Sequence, residues 1–65
     1  MTAGEFNELA KQGRVWAKIV ANFSGEYGLV EKISGLTNQF VRFRFKGKEH
    51  DTIISPENVM FEIED

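Results

Sequence analysis

Sixty-five residues carry eight Lys plus Arg against ten Asp plus Glu, one His, no Cys, six Gly, one Pro and eight aromatic side chains. A chain this short makes one domain, close to the lower size at which a hydrophobic core can offset ordering entropy, so most of it must serve folding. An apolar fraction of 42% excludes compositional disorder, no apolar run is long enough to span a bilayer, and the lack of cysteine excludes disulfide frameworks, thiolate metal sites and cysteine nucleophiles.

Thr2 and Glu5 have the spacing of a capping box, in which a hydroxyl and a carboxylate three residues on satisfy each other's backbone N–H groups. The spacing predicts a helix over 3–12, with Phe6, Leu9 and Ala10 as its apolar stripe and Gly13 as its left-handed stop. Beyond Gly13 the period becomes two. Val15, Ala17, Ile19 and Ala21 are expected to face inward from a first strand, and Arg14, Trp16, Lys18 and Val20 outward. Residues 22–28 form a loop in which Gly25 and Gly28 are the expected left-handed positions, 29–33 a second strand, and 34–38 a turn. Next comes the strongest alternation in the chain: Val41, Phe43 and Phe45 on one side, Arg42, Arg44 and Lys46 on the other. A tight turn over 46–48 leads into a fourth strand over 49–54. Ser55-Pro56-Glu57-Asn58 has the form of one helical turn, with Ser as cap and Pro at its first position, and Val59, Phe61 and Ile63 mark a fifth strand. The fold class is therefore mainly β: a single domain over 1–65, with a short N-terminal helix over 3–12 and a strongly bent five-stranded barrel over 14–64.

Val15-x-Ala17, then Gly25-Glu26-Tyr27-Gly28-Leu29-Val30-Glu31-Lys32-Ile33, then Phe40-Val41-Arg42-Phe43 together resemble the opening half of small SH3-like barrels, in particular those carrying the KOW motif. Gly28, Val30 and Ile33 match that motif's glycine and the hydrophobic residues after it, whereas Glu26 and Tyr27 stand where it usually carries Lys or Arg. The layout is also similar to the small E subunit on the soluble face of photosystem I. The resemblance implies an SH3-like barrel that contacts RNA or the transcription machinery in the first case, and an accessory subunit docked on a larger complex in the second.

Catalytic chemistry finds little footing. His50, the only histidine, lies between Glu49 and Asp51 on a predicted strand, where neighbours face opposite sides, so neither a triad nor more than a weak two-carboxylate metal site is available. Gly25 and Gly28 lie between strands and do not lead into a helix, so no phosphate-cradling loop is present. The chain is expected to be neither an enzyme nor a binder of cofactor or metal. Its opening residues lack the basic-then-apolar layout of a signal peptide, so a cytoplasmic location is expected.

Charge, by contrast, is sorted along the chain. Residues 1–8 carry two acids, 9–48 carry all eight bases and two acids, and 49–65 carry six acids with no Lys or Arg. If Arg42, Arg44 and Lys46 project from one face, they do so at about 7 Å intervals, comparable to phosphate spacing on a nucleic-acid strand. Arg14, Lys18 and Lys48 would extend such a face, with Tyr27 or Phe40 stacking on bases. Cross-strand Glu49, Asp51 or Glu62 could instead neutralise the row. Trp16 is expected to pack under the helix against Phe6 and Leu9, a stacking platform being its alternative. The expected function is thus a non-catalytic macromolecule-binding module. Nucleic acid is its first partner class, met through Arg14, Lys18, Tyr27, Phe40, Arg42, Arg44, Lys46 and Lys48. The alternative is a protein-binding adaptor or regulatory subunit.

Overall fold

The computed structural model describes residues 2–20 and 25–65; the expected inward position of Ala21 and the loop start at Asn22 lie outside the described residues. The helix α1 (Ala3–Lys11) begins with the predicted capping box: Thr2 Oγ1 accepts from the Glu5 backbone N–H at 3.2 Å, and Glu5 Oε1 accepts from Thr2 N–H at 3.1 Å. It ends one residue earlier than predicted, because Gln12 acts as the C-cap, and Gly13 follows with φ 72°. Phe6, Leu9 and Ala10 pack on the core, and Asn7 Oδ1 accepts from Ile33 N–H at 3.3 Å, which ties the helix to the sheet.

The strands are β1 (Val15–Ile19), β2 (Tyr27–Leu36), β3 (Val41–Phe45), β4 (Thr52–Ile54) and β5 (Val59–Ile63), with a 3₁₀ turn, Pro56–Asn58, between the last two. They form one five-stranded antiparallel sheet in the order β4-β3-β2-β1-β5, so the fold is mainly β with a short N-terminal helix, as the periodicities predict. Among the described residues no helix is long and apolar enough to cross a membrane.

β2 is twice the length expected. Its first residues pair with β1 and the remainder with β3, and register shifts at Val30/Lys32 and Ile33/Gly35 bend it between the two. The turn predicted over 34–38 starts later. Thr37 makes it, its hydroxyl oxygen accepting from Gln39 and Phe40 N–H at 3.1 and 3.0 Å. Gly28 is not left-handed, unlike Gly25 at φ 58°; it lies in β2, where a Cβ would sit 3.2 Å from Phe45 Cδ1, so its role is close packing. β4 is shorter than the predicted strand, because Glu49, His50 and Asp51 lie ahead of it, after a turn at Gly47 (φ 87°). Ser55 occupies the predicted N-cap position of the 3₁₀ turn but makes no side-chain cap bond.

The alternation in β3 holds. Val41, Phe43 and Phe45 are buried with Val15, Ala17, Ile19, Val30, Ile33 and Val59, and Phe43 stands at the centre, edge-on to Phe45 at 5.0 Å and to Phe61 at 5.4 Å.

Candidate binding face

Arg42 and Arg44 point outward from β3, as predicted, but they are not a free cationic row. The bend after Gly47 brings Asp51 against both: Arg42 Nε donates to Asp51 Oδ2 at 2.7 Å, and Arg44 Nε lies 3.3 Å from Asp51 Oδ1 and 3.9 Å from Glu31 Oε2. Arg44 Nε is itself buried and makes no hydrogen bond, so its contacts are electrostatic. The Arg42 hydrogen bond holds the Asp51 carboxyl below the usual aspartate range, with the charges of Arg42, Arg44 and Lys32 acting in the same direction. One carboxylate is shared between two guanidinium groups, so the row is partly neutralised. Lys32, the register partner of Arg44, and Lys46 have no ion pair among the described residues, and Lys48 Nζ lies 4.0 Å from Glu26 Oε2. Phe40 sits in the β2–β3 turn with its ring over Gly35, where a Cβ would stand 3.4 Å from Phe40 Cε2. It is 40% exposed, and exposed Ile53 is the register partner of Arg42.

Arg14, Lys18 and Tyr27 belong to a second group, at the other end of β2 from Phe40. The centre of that group is Trp16, which does not pack under the helix. Phe6 packs instead on Phe61 at 5.5 Å, while Trp16 lies on the opposite face and stacks on Tyr27, ring centroids 5.4 Å apart and planes 16° from parallel. The parity of β1 dictates this: once Val15, Ala17 and Ile19 are buried, Trp16 and Lys18 must face outward. In the register Trp16 stands level with Leu29 and Glu62, and Lys18 with Tyr27 and Met60. Tyr27 is 54% and Met60 59% exposed, and Lys18 has no ion pair among the described residues.

The residues after β5 fix this group. Trp16 Nε1 donates to Glu64 Oε2 at 2.8 Å, Arg14 Nε donates to the Glu64 carbonyl at 2.8 Å, and Glu64 N–H donates to the Arg14 carbonyl at 2.7 Å. Arg14 Nη2 also lies 3.9 Å from Asp65 Oδ1. The half-buried indole is therefore satisfied at its polar edge and stacked on Tyr27, and exposed Tyr27 and Met60 with the surrounding charges make this an amphipathic surface.

The eight residues expected to share one face thus divide between the aromatic group (Arg14, Lys18, Tyr27), the Asp51 network with its neighbour (Arg42, Arg44, Phe40), and the β3–β4 turn (Lys46, Lys48). Met60, Glu62 and Glu64 join the aromatic group without having been expected there, and Trp16 joins it through the alternative reading, outward with Arg14 and Lys18, in place of packing under the helix. Among the described residues no group of three His, Cys, Asp or Glu side chains is placed to hold a metal ion. Neither a protein-family model, nor a curated protein, nor a solved structure matches this chain.

Proposed function

We propose that this chain is a non-catalytic, cytoplasmic binding module that docks on a protein partner through the outer face of β1, β2 and β5. The observation that carries this reading is the Trp16–Tyr27 stack, in which a half-buried indole held by Glu64 backs an exposed Tyr27, with exposed Met60 on the neighbouring strand. An aromatic centre with a polar rim is the composition of protein-binding hot spots, and a pre-fixed indole loses little freedom on binding. A nucleic-acid strand would need an excess of cations along its path, yet around the aromatic pair Glu62, Glu64 and Asp65 outnumber Arg14 and Lys18, and Arg14 is engaged with Asp65. The sheet order and the 3₁₀ turn before the last strand support the resemblance to SH3-like barrels, a fold that hosts binding modules with many unrelated partners.

A second reading, nucleic-acid contact across β2 and β3, has its own support. Asp51 offsets only part of the charge of Arg42 and Arg44, and Lys32 and Lys46 add cations without partners among the described residues. Affinity-capture from lysate with and without nuclease, using the native chain and a Trp16→Ala/Tyr27→Ser variant, tests both readings. A stoichiometric protein retained after nuclease and lost with the variant supports the first. Equal capture by both chains refutes it, and loss of all partners on nuclease treatment favours the second.

A further inference from the structure

The charges around the aromatic pair select what a protein partner must carry. Glu62 is level with Trp16 in the register, exposed, and without an ion pair among the described residues. Glu64 commits only Oε2 to the indole N–H, and Asp65 is fully exposed beside Arg14. Aromatic ring faces are themselves electronegative and attract cations. On one side of Trp16 the surface is therefore an aromatic plane edged by carboxylates.

We infer that the segment this face takes is an arginine- or lysine-bearing stretch of a protein, its cation lying over Trp16–Tyr27 against Glu62; this rests on the protein-binding reading above. Lys18 fixes the direction of approach. It stands level with Tyr27 and Met60 and repels a cation from that end of the pair; at the other end Arg14 is engaged with the Glu64 carbonyl and Asp65, which leaves the position beside Glu62 as the cation's place. Lys18 and Glu62 thus act on the ligand with opposite sign.

Trp16 is the only tryptophan, so its fluorescence reports this face directly. The full chain is titrated at low salt with a short peptide alternating arginine and glycine, with its glutamate and leucine counterparts, and with an oligothymidylate. A saturable change with the arginine peptide alone is expected. Glu62→Lys weakens it about tenfold, since a like charge now faces the ligand, and Lys18→Glu strengthens it. Both side chains are exposed, so circular dichroism should show the native fold in each variant. Effects of the opposite sign, or no response to the arginine peptide, overturn the inference. If the glutamate or leucine peptide saturates instead, and Tyr27→Ser abolishes that response, the cationic selection falls and the protein-binding reading stands. Saturation by oligothymidylate alone refutes both. A concentration-dependent change without any ligand, matched by dimer formation in sedimentation, identifies a second copy as the occupant and likewise overturns the cationic inference.

Discussion

Replacing Glu64 by alanine removes one contact from the aromatic platform and leaves the rest of its anchoring in place. The two backbone contacts to Arg14, through Glu64 N–H at 2.7 Å and the Glu64 carbonyl at 2.8 Å, do not depend on the side chain. Only the bond from Trp16 Nε1 to Oε2, at 2.8 Å, is lost. A hydrogen bond to a charged acceptor contributes up to about 3 kcal/mol, but the partial exposure of this indole lets water replace the carboxylate, so a loss of about 1 kcal/mol is expected. For a domain of this size that is a fall in Tm of roughly 4–8 °C. Glu64→Gln keeps an acceptor oxygen and should lose less than half as much. The assay is thermal unfolding followed through the single tryptophan, with the one indole N–H resonance in a ¹⁵N spectrum as the local reporter. Glu64→Ala should move that resonance toward its solvated position, and Glu64→Gln should move it little. An unchanged Tm together with an unmoved indole resonance in Glu64→Ala would refute the claim that this side chain fixes the platform.

Phe43→Ala should cost about 3–5 kcal/mol by emptying a fully buried site, comparable to the whole stability of so small a domain, so urea unfolding should find it largely unfolded in buffer while Phe43→Leu remains native. Arg42→Glu with Arg44→Glu should lower the urea midpoint, because it sets two more carboxylates against Asp51 and Glu31; a midpoint at or above the native value would show that the network does not support the fold. The Asp51 and Glu5 carboxyls are both held below their ordinary values, 3.8 and 4.5, by hydrogen bonds from Arg42 and Thr2 respectively. A depressed folded-state value means the stabilisation is complete above the unfolded-state value and is lost as pH falls through the folded one, so Tm should drop on acidification below those values, and less steeply in Asp51→Asn.

The parts of this fold legible in the sequence were those set by a local period or a local hydrogen bond. The capping box needs only Thr2 and Glu5, and the burial of Val41, Phe43 and Phe45 needs only alternation within one strand. What escaped was set by partners distant in sequence. Gly28 was expected to turn the chain because loops and glycines go together, but its reason for being glycine is the Phe45 ring on the neighbouring strand. The size of Trp16 favours burial under the helix, whereas the parity of β1 points it outward, and the hydrogen-bond partner that holds it there lies 48 residues on. The shortened β4 is of the same kind: the bend that ends the predicted alternation at Asp51 is stabilised by two arginines on another strand.

Topology also decides what the sorted charges along the chain become in space. Had the acidic stretch over 49–65 folded entirely beside β3, it would have neutralised the cations there and left no polarity. The order β4-β3-β2-β1-β5 divides that stretch instead. Asp51, just before β4, reaches Arg42 and Arg44, whereas Glu62 and Glu64 are carried to the far edge and set beside Trp16. The cations of β2 and β3 and the acids of β5 therefore lie on opposite sides of β1. The Trp16–Tyr27 pair, joining β1 and β2, is where an apolar contact and both signs of charge lie within reach of a single bound segment. If the proposed protein partner docks there, such a surface selects it by the order of its charges, which neither a uniformly basic face nor a neutral one can do.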